Sequence, residues 1–297
     1  GLSGGNGADT LDGGDGADNL QGDAGNDMLN GGLGNDSLDG GADTDTVGFG
    51  SATTAVTVNL DGNTATDGLG GTDTLLNVEN VLGTAYSDSI TGDSANNVLT
   101  GDTGADTLVG AGGNDSLYGG GWSDVLTGGA GNDLLDGGSE IDTVDYGDAT
   151  GSVFVDLSLN NASGMGADTL VSIEHARGGQ YTDLLYGDAS SNLLQGAGGN
   201  DTLEGNDGND TLEGGDGNDS VLGGEGFDTL SGGEGDDVLH GGADIDMADY
   251  SSATGAVQVS LDAGTATGAA GADTLQFIEN LLGSQHADML MGSFGNN

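Results

Sequence analysis

Residues Gly178–Asp249 read as eight consecutive nonapeptides: GGQYTDLLY, GDASSNLLQ, GAGGNDTLE, GNDGNDTLE, GGDGNDSVL, GGEGFDTLS, GGEGDDVLH and GGADIDMAD. Each opens on glycine; most carry glycine fourth, a carboxylate sixth and a large aliphatic eighth. A fixed short period is the mark of a solenoid, in which each unit is too small to bury its own apolar face and must stack on its neighbours. One inward aliphatic flanked by two outward residues predicts a very short strand, and the glycine-rich remainder predicts a tight turn. Two nonapeptides then close one coil, with a strand on each side. The predicted fold is all-β: a parallel β-roll of two facing sheets with a thin apolar ladder between them. Leu11, Leu20, Leu29 and Leu38 form that ladder near the start, and Leu203, Leu212, Val221, Leu230 and Leu239 later on.

The same register organises the rest of the chain. Residues 1–48 hold five nonapeptides, 83–145 hold seven, 178–249 hold the eight quoted above, and 283–297 begin another block that stops inside a repeat. The chain thus reads as cut from a longer array. Inserts at 49–82, 146–177 and 250–282 separate the blocks and resemble one another. Each opens on an aromatic and soon reaches Ala-Thr: FGSAT, YGDAT, YSSAT. Alternating apolar residues follow, namely Val56, Val58 and Leu60; Val153, Val155 and Leu157; Val257, Val259 and Leu261. Period-2 alternation with β-branched residues predicts a half-buried strand. A second strand-like stretch closes each insert: GTDTLLNVENVLG, GADTLVSIEHARG, GADTLQFIENLLG. The expectation is one continuous solenoid, with the inserts as wider coils in which Leu75 and Val78 face Val56, Val58 and Leu60.

Composition says what such a roll needs. Of 297 residues, 65 are Gly, none is Pro or Cys, and Asp+Glu number 50 against a single Arg, for a formal charge of −49. Collagen is excluded by the absence of proline and of a Gly-X-Y triplet. Such a charge excludes electrostatic binding to nucleic acid or anionic membrane, and no apolar run predicts membrane insertion or a signal peptide. Burying an aliphatic side chain is worth about 1.5–3 kcal/mol. Ordering the backbone costs about 1–2 kcal/mol per residue, most of all for glycine. One aliphatic in nine residues cannot offset that.

Coiling also stacks the sixth-position carboxylates about 4.8 Å apart. Two charges at that spacing repel by roughly 3.5 kcal/mol at an effective dielectric of about 20. A hard dication between successive turns reverses the sign. Ca²⁺ accepts six to eight oxygens in loose geometry, whereas Mg²⁺ holds its water and wants strict octahedra. Zinc would want His or Cys. Multiple Ca²⁺ ions are therefore the expected cofactor. The candidate ligands are Asp9, Asp18, Asp27, Asp36, Asp45, Asp88, Asp106, Asp115, Asp124, Asp133, Asp142, Asp183, Asp201, Asp210, Asp219, Asp228, Asp237, Asp246 and Asp288. Turn aspartates can also serve merely to cap bends and solubilise. That bland reading suits one turn better than a register held through 18 of 20 complete repeats.

The nonapeptide pattern resembles the RTX family, the repeats-in-toxin or hemolysin-type calcium-binding repeats. The resemblance implies a calcium-bound parallel β-roll, secretion through a type I channel, and folding only outside the cell. The pattern is broken in places. The sixth position is Asn97, Asn192 and Asn297 in the second repeat of each later block. The fourth is Tyr86, Tyr181 or His286 in opening repeats, Asp43, Glu140 or Asp244 in closing ones, and Trp122 within a block. Sites at block edges are therefore altered, and the three extra acids either supply a ligand or face solvent.

Nothing else in the sequence points to chemistry. His175, His240 and His286 are scattered, no nucleophile motif surrounds the serines, and the glycine turns precede Asp rather than the Lys of a phosphate cradle. Arg177 is expected to pair locally with Glu174. Tyr118, Trp122 and Tyr186 either stack on sugars or pack along the outside of the roll. The expected function is non-enzymatic: a calcium-folded structural or adhesive segment of a large secreted bacterial surface or matrix protein, of adhesin or surface-layer type. Its candidate partners beyond calcium are a polysaccharide or further copies of itself. The alternatives are the C-terminal repeat region of a secreted lipase, protease or polysaccharide epimerase, and an unfolded polyanionic calcium buffer.

Overall fold

The computed structural model describes residues 1–293. The chain divides into two compact units, Gly1–Val144 with Gly166–Ile173, and Asp145–Met165 with Glu174–Asn297. Among the described residues every regular element is a strand.

In the first unit the strands stack in parallel at an 18-residue interval, as two nonapeptides per coil require. One sheet pairs Leu2 with Leu20 and Leu20 with Leu38. The opposite sheet carries Leu11, Leu29, Val47, Val81, Leu99, Leu117 and Leu135 in one unbroken register. The second unit repeats the scheme. Ala176, Leu194, Leu212, Leu230 and Ala248 line one side, and Leu185, Leu203, Val221, Leu239 and Leu275 the other. Nearly all these ladder residues are buried, from Leu11 to Leu275. Many strands are longer than the three residues expected. Asn19–Ala24 and Thr211–Asp216, for example, run through the end of one repeat into the first three residues of the next. The opening glycines have no side chain to separate the stacked backbones, so the ladder continues through them.

The inserts are built differently from the expected wider coils. In the first, Thr57–Asn59, Thr64–Thr66 and Thr72–Leu76 form an antiparallel meander within one sheet. Its last strand lies parallel on Ser37–Ala42 and its first parallel on Ser89–Thr91. On the opposite side Thr46–Gly48 pairs directly with Asn80–Thr84. One sheet therefore gains three strands where the other gains none. Leu75 and Val58 belong to the same sheet and do not face each other across the core. Both are buried, as are Val56, Leu60 and Val78. The third insert repeats this meander in the second unit with Val257–Ser260, Thr265–Gly268 and Gly271–Gln276. From the second insert, the hairpin Phe154–Asp156/Asn161–Ser163 stacks on Leu184–Tyr186 in the second unit, and Ala167–Val171 stacks on Leu134–Ser139 in the first.

Candidate metal centre

The sixth-position aspartates point inward at the bend between strands, where the sheet ladder leaves backbone N–H groups free. From Asp27 onward the carboxylates of the columns use one oxygen to take such a donor from the neighbouring coil. The N–H of Asp9 donates to Asp27 Oδ1 at 2.7 Å, and that of Asp27 to Asp45 Oδ1 at 2.7 Å. The N–H of Asp18 reaches Asp36 Oδ1 at 2.8 Å. Asp88, Asp106, Asp124 and Asp142 form one further column in the first unit, and Asp115 and Asp133 another. In the second unit the columns are Asp183, Asp201, Asp219 and Asp237, and Asp210, Asp228 and Asp246.

The other oxygen is the informative one. Oδ2 of Asp9, Asp27, Asp36, Asp45, Asp106, Asp115, Asp124, Asp133, Asp201, Asp210, Asp219, Asp228, Asp237 and Asp246 is buried with no hydrogen-bond donor. It points over the bare Cα of the glycine that opens its own repeat. A Cβ placed on Gly22 would collide with both Asp27 Oδ2 and the Gly40 carbonyl oxygen. Two acceptors thus converge where no donor exists, and a buried acceptor left unmatched costs about 1–3 kcal/mol. Burial, with charged neighbours in the same column, pushes the carboxyls of Asp124, Asp201 and Asp210 up to about 7. Burial likewise lifts Asp106, Asp237 and Asp246 to about 6. Backbone N–H donors hold these shifts down.

These residues fit a hard cation. The donor set is all oxygen, from carboxylates and peptide carbonyls. Among the described residues no three acidic, imidazole or thiol side chains converge on one point. An ion here must draw on backbone carbonyls, which suits Ca²⁺ and not Zn²⁺.

Not every candidate has the same surroundings. Oδ2 of Asp88 takes the N–H of Thr84 at 2.6 Å, and Oδ2 of Asp183 that of Gly179 at 2.7 Å. Asp288, on the last described turn, takes the Val257 N–H and the Ser284 hydroxyl on Oδ1. Asp18 is half-buried, its Oδ1 lying 3.8 Å from the N-terminal amine. The asparagines have a physical reason. Asn97 Nδ2 donates to the Glu79 carbonyl and Asn192 Nδ2 to the Glu174 carbonyl, both at 2.8 Å. At these two rungs the residue one coil back presents C=O in place of N–H, so an amide fits where a carboxylate would be repelled. Asn297 lies outside the described residues.

The closing-repeat acids Asp43, Glu140 and Asp244 face solvent in left-handed turns with φ of 80°, 81° and 76°. Trp122 shares that conformation and is 63 % exposed. Tyr118 is also exposed, while Tyr186 packs against Phe154 with ring centroids 5.8 Å apart. Arg177 pairs with Asp145 at 3.3 Å, a partner supplied by the neighbouring coil and not by the expected sequence neighbour.

Five column members were missed by the nonapeptide reading. Asp73, Asp168 and Asp273 accept the N–H groups of Asp36, Asp133 and Asp237. Glu79 and Glu279 accept those of Asp45 and Asp246. The first three had a signal: Gly-Ala-Asp-Thr-Leu at 166–170 and 271–275 is the same string as 7–11, and Gly-Thr-Asp-Thr-Leu at 71–75 differs from it at one residue. Each lies inside an insert, and 68–76 (GLGGTDTLL) and 268–276 (GAAGADTLQ) carry glycine first and fourth, aspartate sixth and leucine eighth, as a nonapeptide does.

Fold and site together define a parallel β-solenoid with a hard-cation donor set in its turns. The family model for the RTX calcium-binding nonapeptide repeat matches residues 3–38, 21–51, 82–117, 109–144, 177–212 and 213–248, more than half of the chain. The chain belongs to that family, and its repeats bind multiple calcium ions. No individual curated protein matches the chain.

Proposed function

We propose that the chain is a calcium-folded structural and adhesive segment of a large secreted bacterial surface or matrix protein, of adhesin or surface-layer type, with no catalytic role of its own. The observation that carries this reading is the continuity of the columns. The inserts send Asp73 and Asp273 into the same carboxylate stacks as the repeats. Blocks and inserts alike are thus committed to the roll. Calcium outside the cell then serves as the folding signal, since an ion that binds the roll and not the open chain stabilises the roll by mass action. RTX repeat proteins are generally secreted, which accords with that logic. The exposed Trp122 and Tyr118 offer stacking faces for a polysaccharide partner.

The test is immunolabelling of producing cells in calcium and in chelator. The expected result is label on the cell surface or matrix in calcium and loss of that label in chelator. Label confined to the cytoplasm would overturn the proposal. So would loss of a secreted lipase, protease or epimerase activity when the segment is deleted from its parent, which is the outcome the enzyme reading requires.

A further inference from the structure

The first and third inserts share one meander but differ at two positions. The opening aromatic is Phe49 in the first and Tyr250 in the third. The residue after the Thr-Ala-Thr strand is Asp67 in the first and Gly268 in the third.

In the third insert the buried Tyr250 hydroxyl donates to Asp273 Oδ2 at 2.9 Å. Asp273 Oδ1 takes the Asp237 N–H at 3.2 Å, so both oxygens are matched. In the first insert Phe49 has no hydroxyl. Asp73 Oδ1 takes the Asp36 N–H at 2.9 Å, but its Oδ2 is buried without a donor. Asp67 adds a second acid. It is 3 % exposed, and Asp73 is 1 %. Asp67 Oδ1 takes the N–H groups of Leu69 and Gly71 at 2.7 and 2.8 Å, and its Oδ2 has no donor. That oxygen meets the Gly34 carbonyl oxygen over Gly71, where an added Cβ would collide with both. The charges of Asp36 and Asp67 both bear on Asp73. The first insert has therefore lost a donor and gained a negative charge in one place. Buried carboxylates stay ionised in such a place only when paired or bound to metal.

We propose that the first insert holds a calcium site outside the blocks of consecutive nonapeptides, with Asp67, Asp73 and the Gly34 carbonyl as oxygen donors, and that the Tyr250 hydroxyl closes the equivalent place in the third insert without an ion. Two acids with carbonyl oxygen make a hard donor set, which Ca²⁺ accepts. This inference rests on calcium binding by the repeats and is independent of the adhesive reading.

The test is crystals of the whole chain grown in calcium, with anomalous difference maps for the wild type and for the Phe49→Tyr/Asp67→Gly double variant. That variant rebuilds in the first insert the pair found in the third. The wild type is expected to show a peak among Asp67, Asp73 and Gly34 and none at Asp273. The variant is expected to lose that one peak and keep those of the nonapeptide turns. Occupied nonapeptide turns with no peak at Asp67 would overturn the proposal, as would a peak unchanged in the double variant. If the variant does not fold, the wild-type map decides alone.

Discussion

Replacing Asp210 by alanine should weaken the calcium-bound fold far more than replacing Asp207, three residues earlier. Asp210 is 1 % exposed. Its Oδ1 takes the Asn192 N–H at 2.8 Å, and its own N–H donates to Asp228 at 2.9 Å. Its Oδ2 is buried with no donor. Truncation removes a calcium ligand and strands the Asn192 N–H, and the stranded donor alone costs about 1–3 kcal/mol. Without calcium the balance changes. Asp210 and Asp228 then repel by roughly 3.5 kcal/mol at about 4.8 Å and an effective dielectric of about 20, and truncation relieves that repulsion. The variant should therefore lose about 1–3 kcal/mol or more in saturating calcium, where the ion already offsets that repulsion. Asp207 occupies the third position with an exposed side chain, so its truncation should stay within about 0.5 kcal/mol. Urea unfolding followed by circular dichroism at saturating calcium measures both losses. Equal losses for the two variants in calcium would refute the assignment of ligand register.

Further outcomes follow from the same geometry. Burial raises Asp115, Asp124, Asp201 and Asp210 from 3.8 to about 7, so each binds its proton more tightly in the fold than in the open chain. In chelator, β-structure should therefore be favoured at acid pH and lost as pH rises from about 4 to about 7. In calcium the proton competes with the ion, so acidification through the same window should release calcium; a pH titration of circular dichroism with and without calcium checks both signs. Gly22→Ala should cost about 1–3 kcal/mol by overpacking against Asp27 and the Gly40 carbonyl, and should weaken calcium binding; an unchanged calcium titration would contradict the convergence of oxygens there. Asn97→Asp places a carboxylate against the Glu79 carbonyl and should destabilise the first unit by about 1–3 kcal/mol in urea unfolding; a stabilised variant would show that the amide is not the fitting group.

The coil was legible because a nine-residue period with one inward aliphatic leaves a chain few ways to bury anything. Leu20 over Leu38 and Leu99 over Leu117 follow directly from that period. The inserts were less legible. Alternation identifies a strand such as Thr57–Asn59 but not its partner, and Val58 lies in one sheet with Leu75 where a facing arrangement was expected. Asp73, Asp168 and Asp273 escaped notice because each lies alone inside an insert, outside the runs of consecutive nonapeptides whose repetition marks the register. The asparagines looked like defects in sequence. Their reason is a carbonyl from a residue one coil away, Glu79 for Asn97 and Glu174 for Asn192, and a sequence does not display the orientation of a peptide plane. Arg177 found Asp145 through the same coil-to-coil stacking.

The claim on which the rest depends is that calcium folds this chain, because the apolar ladder is too thin and the carboxylate columns too repulsive without it. Far-UV circular dichroism of the whole chain, titrated from excess chelator into calcium at neutral pH, tests it most directly. The account predicts coil in chelator and a cooperative rise of β-structure on adding calcium, reversed by returning the chelator. A β-rich spectrum that persists in excess chelator at neutral pH would contradict it.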